Sequence, residues 1–156
     1  MIEINNLTEV EIDKKFVKKI IEKILKEEKK EGDISIAFIG PGRMRKLNKK
    51  YRGKNRVTDV LSFPEVRFSF EKIFKPELKK TESLGEVVIC PREVKKYSRR
   101  LNIPFEEEFS RVLIHGVLHL LGYSDEESEK IAEKMRKREK YYFEKFKKFD
   151  KFKEKI

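Results

Sequence analysis

Apolar positions along the chain recur with two different periods, and the switches between them mark out the elements. In "VEIDKKFVKKIIEKILKEEKK", Phe16, Ile20, Ile21, Ile24 and Leu25 fall on one helical face with Lys and Glu opposite. Gly32 stands where that helix would stop. "DISIAFIG" is β-branched and apolar, the pattern of a buried strand. "GRMRKLNKKYRG" returns to helical spacing through Met44, Leu47 and Tyr51 and closes at Gly53. "TDVLSF" reads as a strand stopped by Pro64, and "LGEVVIC" as another. Residues 65–83 follow neither period and read as an excursion or flap. Pro91 opens the helix "PREVKKYSRRL" at the favoured first-turn position. "PFEEEFSRVLIHGVLHLLG" begins with Pro and acids and ends with Gly122, so its start and stop signals agree. Residues 1–5 suit a short edge strand, and a last helix runs from about Asp125 into the tail.

The order β-α-β-α-β-β-α-α-α predicts a small α+β or α/β domain, with helices packed on a mixed sheet. A chain of 156 residues suits one domain over 1–140. Residues 141–156 form a basic, aromatic-rich helical extension. There Tyr141, Tyr142, Phe143, Phe146, Phe149 and Phe152 interleave with Lys. Such a stripe docks on a core, or stacks on and neutralises RNA. Docking suits the first aromatics; the last turn is open to either reading.

Composition narrows the setting. No run approaches the roughly 20 apolar residues of a membrane span. The start, "MIEINNLTEVEIDKK", lacks a basic segment followed by an apolar one, so no signal peptide is read there. The lone Cys90 has no internal disulfide partner, which points to a reducing cytoplasm. Lys and Glu dominate the polar residues and Gln is absent, a hyperthermophile pattern that bears on stability. The formal net charge of +11 favours a polyanionic partner.

The chemistry concentrates in "RVLIHGVLHLLGYSDEES". It holds the only two histidines in the chain, His115 and His119, at i and i+4 on a helix. That spacing puts both imidazoles on one face, within reach of one ion. Gly122 lets the chain turn back, so a third ligand is expected among Asp125, Glu126 and Glu127. The same residues fit helix capping: Ser124 with Glu127 matches a capping box, and Asp125 is itself a competent cap. The zinc-protease pattern H-E-x-x-H needs a Glu base at its second position, and that position here is Gly116. Two histidines and one carboxylate leave an open position, as in a catalytic zinc site.

The segment "HGVLHLLGYSDE" resembles the motif H-G-x-L-H-L-x-G-Y-D-H of the YbeY family, metal-dependent bacterial endoribonucleases of ribosomal RNA maturation. His115, Gly116, Leu118, His119, Leu120, Gly122 and Tyr123 match. The family's third histidine falls on Asp125, so the resemblance implies a metal held by His115, His119 and Asp125. That exchange makes the site less cationic by about one charge and shifts it toward harder ions. "LNKKYRGKNRVTDVLSFP" is similar to the family segment L-N-x-x-Y-R-x-x-D-K-P-T-D-V-L-S-F-P, departing at Asn55, Arg56 and Val57. "LGEVVIC" is similar to L-G-D-I-V-I-S.

The resemblance implies a zincin-like α+β domain, its metal helix facing a cleft to which "YRGK" contributes. It gives Arg52 a catalytic role, stabilising charge on phosphate, although a helix-end arginine is also favoured by the dipole. Arg43, Arg45, Lys54 and Arg56 are candidates to position the RNA backbone. The implied cofactor is one Zn2+ per chain, or another divalent ion, and the implied partner is ribosomal RNA or a ribosomal subunit. Two rivals remain: an RNA- or ribosome-binding assembly factor with a structural metal, and a zinc peptidase with a displaced base.

Overall fold

A computed structural model of the chain describes residues 1–65 and 83–154, with side chains through residue 147. Strand β1 (Ile2–Asn6) leads through α1 (Lys14–Glu27) to β2 (Asp33–Phe38). Helix α2 (Pro41–Arg52) leads to β3 (Val60–Pro64), and β4 (Ser83–Ile89) to α3 (Pro91–Leu101). Helices α4 (Phe105–Leu120) and α5 (Glu129–Glu154) complete the fold. The excursion expected over 65–83 lies, apart from its two ends, outside the described residues, as do the side chains of Phe149 and Phe152.

The sheet order is β1-β2-β4-β3. β1, β2 and β4 run parallel, and β3 pairs antiparallel with β4, Val60 opposite Ile89 and Ser62 opposite Val87. This is the mixed sheet expected of the α+β reading. β3 is an edge strand, so it accommodates Pro64 as its last residue rather than stopping before it.

Alternation along the strands divides the core. Ile34, Ile36, Phe38, Val87 and Ile89 face α1, α4 and α5, joined by Val17, Ile20, Leu113, Val117, Met135 and Tyr142. Leu61 and Val88 point to the other side, where Met44 of α2 covers them. Tyr142 and Phe146 are buried within the larger core, on a helix that runs unbroken past residue 140.

Three local expectations are corrected. Helix α1 stops at Glu27, well before Gly32. Its last turn is closed at Lys29, which takes φ 55° while the Lys30 N–H donates to the Leu25 carbonyl at 2.9 Å. Tyr51, expected on the apolar face of α2, is 56% exposed, and its ring stands edge-on to Phe63. Helix α5 begins at Glu129 rather than near Asp125, because Ser128 caps it: its hydroxyl accepts from the Ile131 N–H at 3.2 Å.

Candidate metal centre and cleft

Helix α4 crosses the sheet at its edge, and Gly116 makes the crossing close. A Cβ on residue 116 would lie 2.7 Å from Val87 Cγ1 and 3.2 Å from Val60 Cγ2. The Ser62 hydroxyl donates to the Gly116 carbonyl at 3.0 Å, fastening the helix to β3. Position 116 therefore faces the sheet. A glutamate there would have no room against Val87 and Val60, so the peptidase reading lacks both the base and the space for one.

His115 and His119 stand one turn apart, half-buried on the α4 face turned toward the cleft. The helix ends in a turn at Gly122, whose φ of 101° lets the Tyr123 N–H donate to the Leu118 carbonyl at 3.2 Å. That turn brings the Tyr123 carbonyl to 3.0 Å from His119 Nδ1. Glu139 of α5 brings Oε1 to 3.0 Å from His115 Nδ1. A carbonyl and a carboxylate only accept, so both Nδ1 atoms donate. The lone pair of each neutral ring then sits on Nε2.

The two Nε2 atoms face one another at 3.0 Å. Two lone pairs at that distance repel unless a proton or a cation lies between them. Asp125 Oδ2 stands 3.9 Å from each Nε2. Tetrahedral ligands at about 2.1 Å from one ion are about 3.4 Å apart, and the observed spacings bracket this value. All three donor atoms lie within 4.8 Å of one another, so His115, His119 and Asp125 are positioned to hold a metal ion. Ser128 takes the cap of α5 and Ser124 accepts from the Glu126 N–H at 3.2 Å, so the cap of that helix is neither Ser124 nor Asp125.

Proton affinities follow this layout. Burial pushes His115 down, but the hydrogen bond and charge of Glu139, with the charges of Asp125 and Asp59, hold it above its ordinary range. At His119 burial and the charge of His115 prevail over Asp125 and hold it below.

Behind the histidines lies a polar network that the sequence did not disclose. Glu28, just past α1, accepts from the Tyr123 hydroxyl, from Arg138 Nη2 at 2.7 Å and from the Tyr142 hydroxyl at 2.9 Å. Adjacent residues of α5 thus serve both ligands: Glu139 orients His115, and Arg138 secures the Glu28 that holds Tyr123 beneath His119. Nothing in the local pattern of "KREKYY" distinguishes these residues from solvated helix charges; only the packing of α5 on α4 does.

The histidines open into a cleft of about 700 Å³, also lined by Arg52, Lys54, Arg56, Thr58, Asp59 and Asp125. Arg52 sits at the end of α2. The buried Asn48 side chain donates to the Arg56 carbonyl at 2.9 Å, folding the loop with Lys54 and Arg56 into the cleft wall. Arg43 and Arg45, earlier on α2, are exposed and are not among the residues lining this cleft.

A family model described as "Endoribonuclease YbeY" matches residues 3–147. The Endoribonuclease YbeY of Thermodesulfovibrio yellowstonii is 45% identical over 106 residues, which are 68% of this chain and 62% of that relative. That of Persephonella marina is 42% identical over 80% of this chain and 77% of its own length. The solution structure of TM1509 from Thermotoga maritima superposes with a TM-score of 0.63 at 31% identity, covering 92% of this chain and 87% of that one. With a family match over residues 3–147 and relatives 42–45% identical, the chain belongs to the Endoribonuclease YbeY family.

Proposed function

We propose that this chain is a metal-dependent endoribonuclease acting on ribosomal RNA in ribosome maturation, with His115, His119 and Asp125 as metal ligands and Arg52 as the catalytic cation. The observation that carries the reading is the convergence of two Nε2 atoms and one carboxylate in a cleft whose wall also presents Arg52, Lys54 and Arg56. Zinc is the first expectation for the ion, because two imidazoles and one carboxylate form an open zinc set. When bound there, the ion supplies Lewis acidity toward a phosphoryl oxygen or toward a water.

The protein's own groups do the rest. Glu139 and the Tyr123 carbonyl keep both Nδ1 atoms protonated, so that both Nε2 atoms present lone pairs to the cleft. Arg52 offers a planar fork to two phosphate oxygens and stabilises charge that grows on them. Lys54 and Arg56, held by Asn48, fix the RNA backbone without reading sequence. Arg43 and Arg45 add positive field from α2. A cytoplasmic location fits the reading, and among the described residues no helix is long and apolar enough to cross a membrane.

The test is cleavage of structured ribosomal RNA by the wild type, His115→Ala and Arg52→Ala, with zinc and with other divalent ions. Loss of turnover in both variants is expected. Equal activity in all three proteins would overturn the assignment. Metal removal that unfolds the domain, with no turnover when metal is restored, would favour a structural metal in an RNA-binding factor.

A further inference from the structure

Positive charge is concentrated in two segments. Residues 40–58 hold eight Lys or Arg and no Asp or Glu, and residues 91–103 hold five against Glu93 alone. The net charge of +11 resides there, and the rest of the chain is near neutral.

Charge pairing is equally uneven. On α5, Arg136, Lys137, Arg138, Lys145 and Lys147 each meet a carboxylate. Among the described residues, no ion pair involves Arg92, Lys95, Lys96, Arg99 or Arg100 of α3. Helix stability accounts for only part of this set. Arg99 and Arg100 lie in the last turn, where the dipole favours cations. Arg92 lies in the first turn, where the dipole disfavours one, and Lys95 and Lys96 gain nothing from it.

Arg92, Lys95, Lys96 and Arg99 line a groove of about 1000 Å³, completed by Thr8–Val10 and the start of α2 at Gly40 and Pro41. Glu9 and Glu93 are the acids in it. The groove lies where the chain leaves the parallel strands β2 and β4 for α2 and α3. Val57 lines it, whereas Arg56 and Thr58 line the metal cleft. The two depressions therefore share one wall, with Arg56 on the cleft side of it and Val57 on the groove side. Unpaired like charges along such a track repel each other, and a polyanion laid on them relieves that repulsion.

We propose that the α3 groove holds RNA phosphates beyond the cleavage site, a bound strand running from the cleft across residues 56–58 onto Arg92, Lys95, Lys96 and Arg99. The inference rests on the endoribonuclease reading above and adds a second RNA-binding surface to it.

The test is fluorescence anisotropy of the full chain with labelled oligouridines of about 6 and about 24 nucleotides over a salt series. Lys95→Gln/Lys96→Gln is expected to bind the short RNA like the wild type and the long RNA about tenfold more weakly. Its slope of log affinity on log salt should fall by about 1.4 on the long RNA. Lys134→Gln/Lys140→Gln, exposed on α5, should match the wild type on both. Unchanged affinity and slope of the α3 variant on the long RNA would overturn the proposal and leave an acidic protein as the partner to seek. An equal loss on both lengths, or from the α5 pair, would overturn it too, by reporting total charge rather than a track. If the metal-loaded wild type fails to cleave RNA while the length-dependent loss persists, the endoribonuclease reading falls and the groove stands.

Discussion

The Ser62 hydroxyl donates to the Gly116 carbonyl across 3.0 Å, joining an edge strand to the helix that carries both histidines. The contact is close because residue 116 has no side chain. Gly116→Ala would gain about 1 kcal/mol of helix propensity. It would also force a methyl to within 2.7 Å of Val87 Cγ1, an overpacking that costs about 1–3 kcal/mol. A net loss of about 1 kcal/mol is expected in urea denaturation. A shift of α4 would also move both imidazoles, so metal affinity should fall in the same variant. Ser62→Ala should lose about 1 kcal/mol by giving up the buried hydrogen bond alone. Stability at or above wild type in Gly116→Ala would show that the sheet yields there.

Asp125 takes the position where the family motif has its third histidine, and its Oδ2 stands equally far from both Nε2 atoms. Asp125→Ala should weaken zinc binding at least about tenfold, read by competition with a chromogenic chelator. Asp125→His should bind zinc at least as well as the wild type and shift preference away from harder ions such as Mn2+. Unchanged affinity in Asp125→Ala would leave the two histidines without this third ligand.

Most of the fold was legible in the sequence because periodicity reports burial directly. The strand "DISIAFIG" and the helix around His115 read correctly from the apolar pattern and its boundaries. What failed was local. Helix α1 stops at Glu27 through a backbone turn closed by Lys29 in the left-handed region, a place where glycine is the usual signal and lysine gives none. The sequence left Asp125 open between ligand and cap because both roles use the same oxygens; in the fold the cap of α5 is Ser128. Glu139 carries no sequence signal at all, since one glutamate among the lysines of a long helix is ordinary.

Glu139 holds His115 by its Nδ1 at 3.0 Å. A carboxylate in that position fixes both tautomer and ring orientation. Glu139→Ala should therefore lower metal affinity about 10- to 100-fold while leaving the circular dichroism spectrum unchanged. Glu139→Gln keeps an acceptor in place and should recover much of that loss. If Ala and Gln bind metal like the wild type, the imidazole is oriented by packing alone.

Glu28 gives the network behind His119 a pH dependence whose sign follows from its contacts. Its carboxylate is nearly buried, with a side chain 10% exposed. Burial raises its pKa, but donors from Tyr123, Tyr142 and Arg138, with the Arg138 charge, outweigh burial and leave it below the ordinary value. A depressed carboxylate stabilises the fold above its unfolded pKa, about 4.3, and that contribution disappears as pH falls through the folded value. Glu28→Gln removes the charge and so removes the titration. At about pH 7 the wild type should melt at a higher temperature than Glu28→Gln, and the gap should close as pH falls below about 4.3. Because Glu28 holds Tyr123, whose carbonyl orients His119, the variant should also bind metal more weakly at neutral pH. A melting gap that stays constant from neutral to acid pH would mean that Glu28 contributes by shape and not by charge.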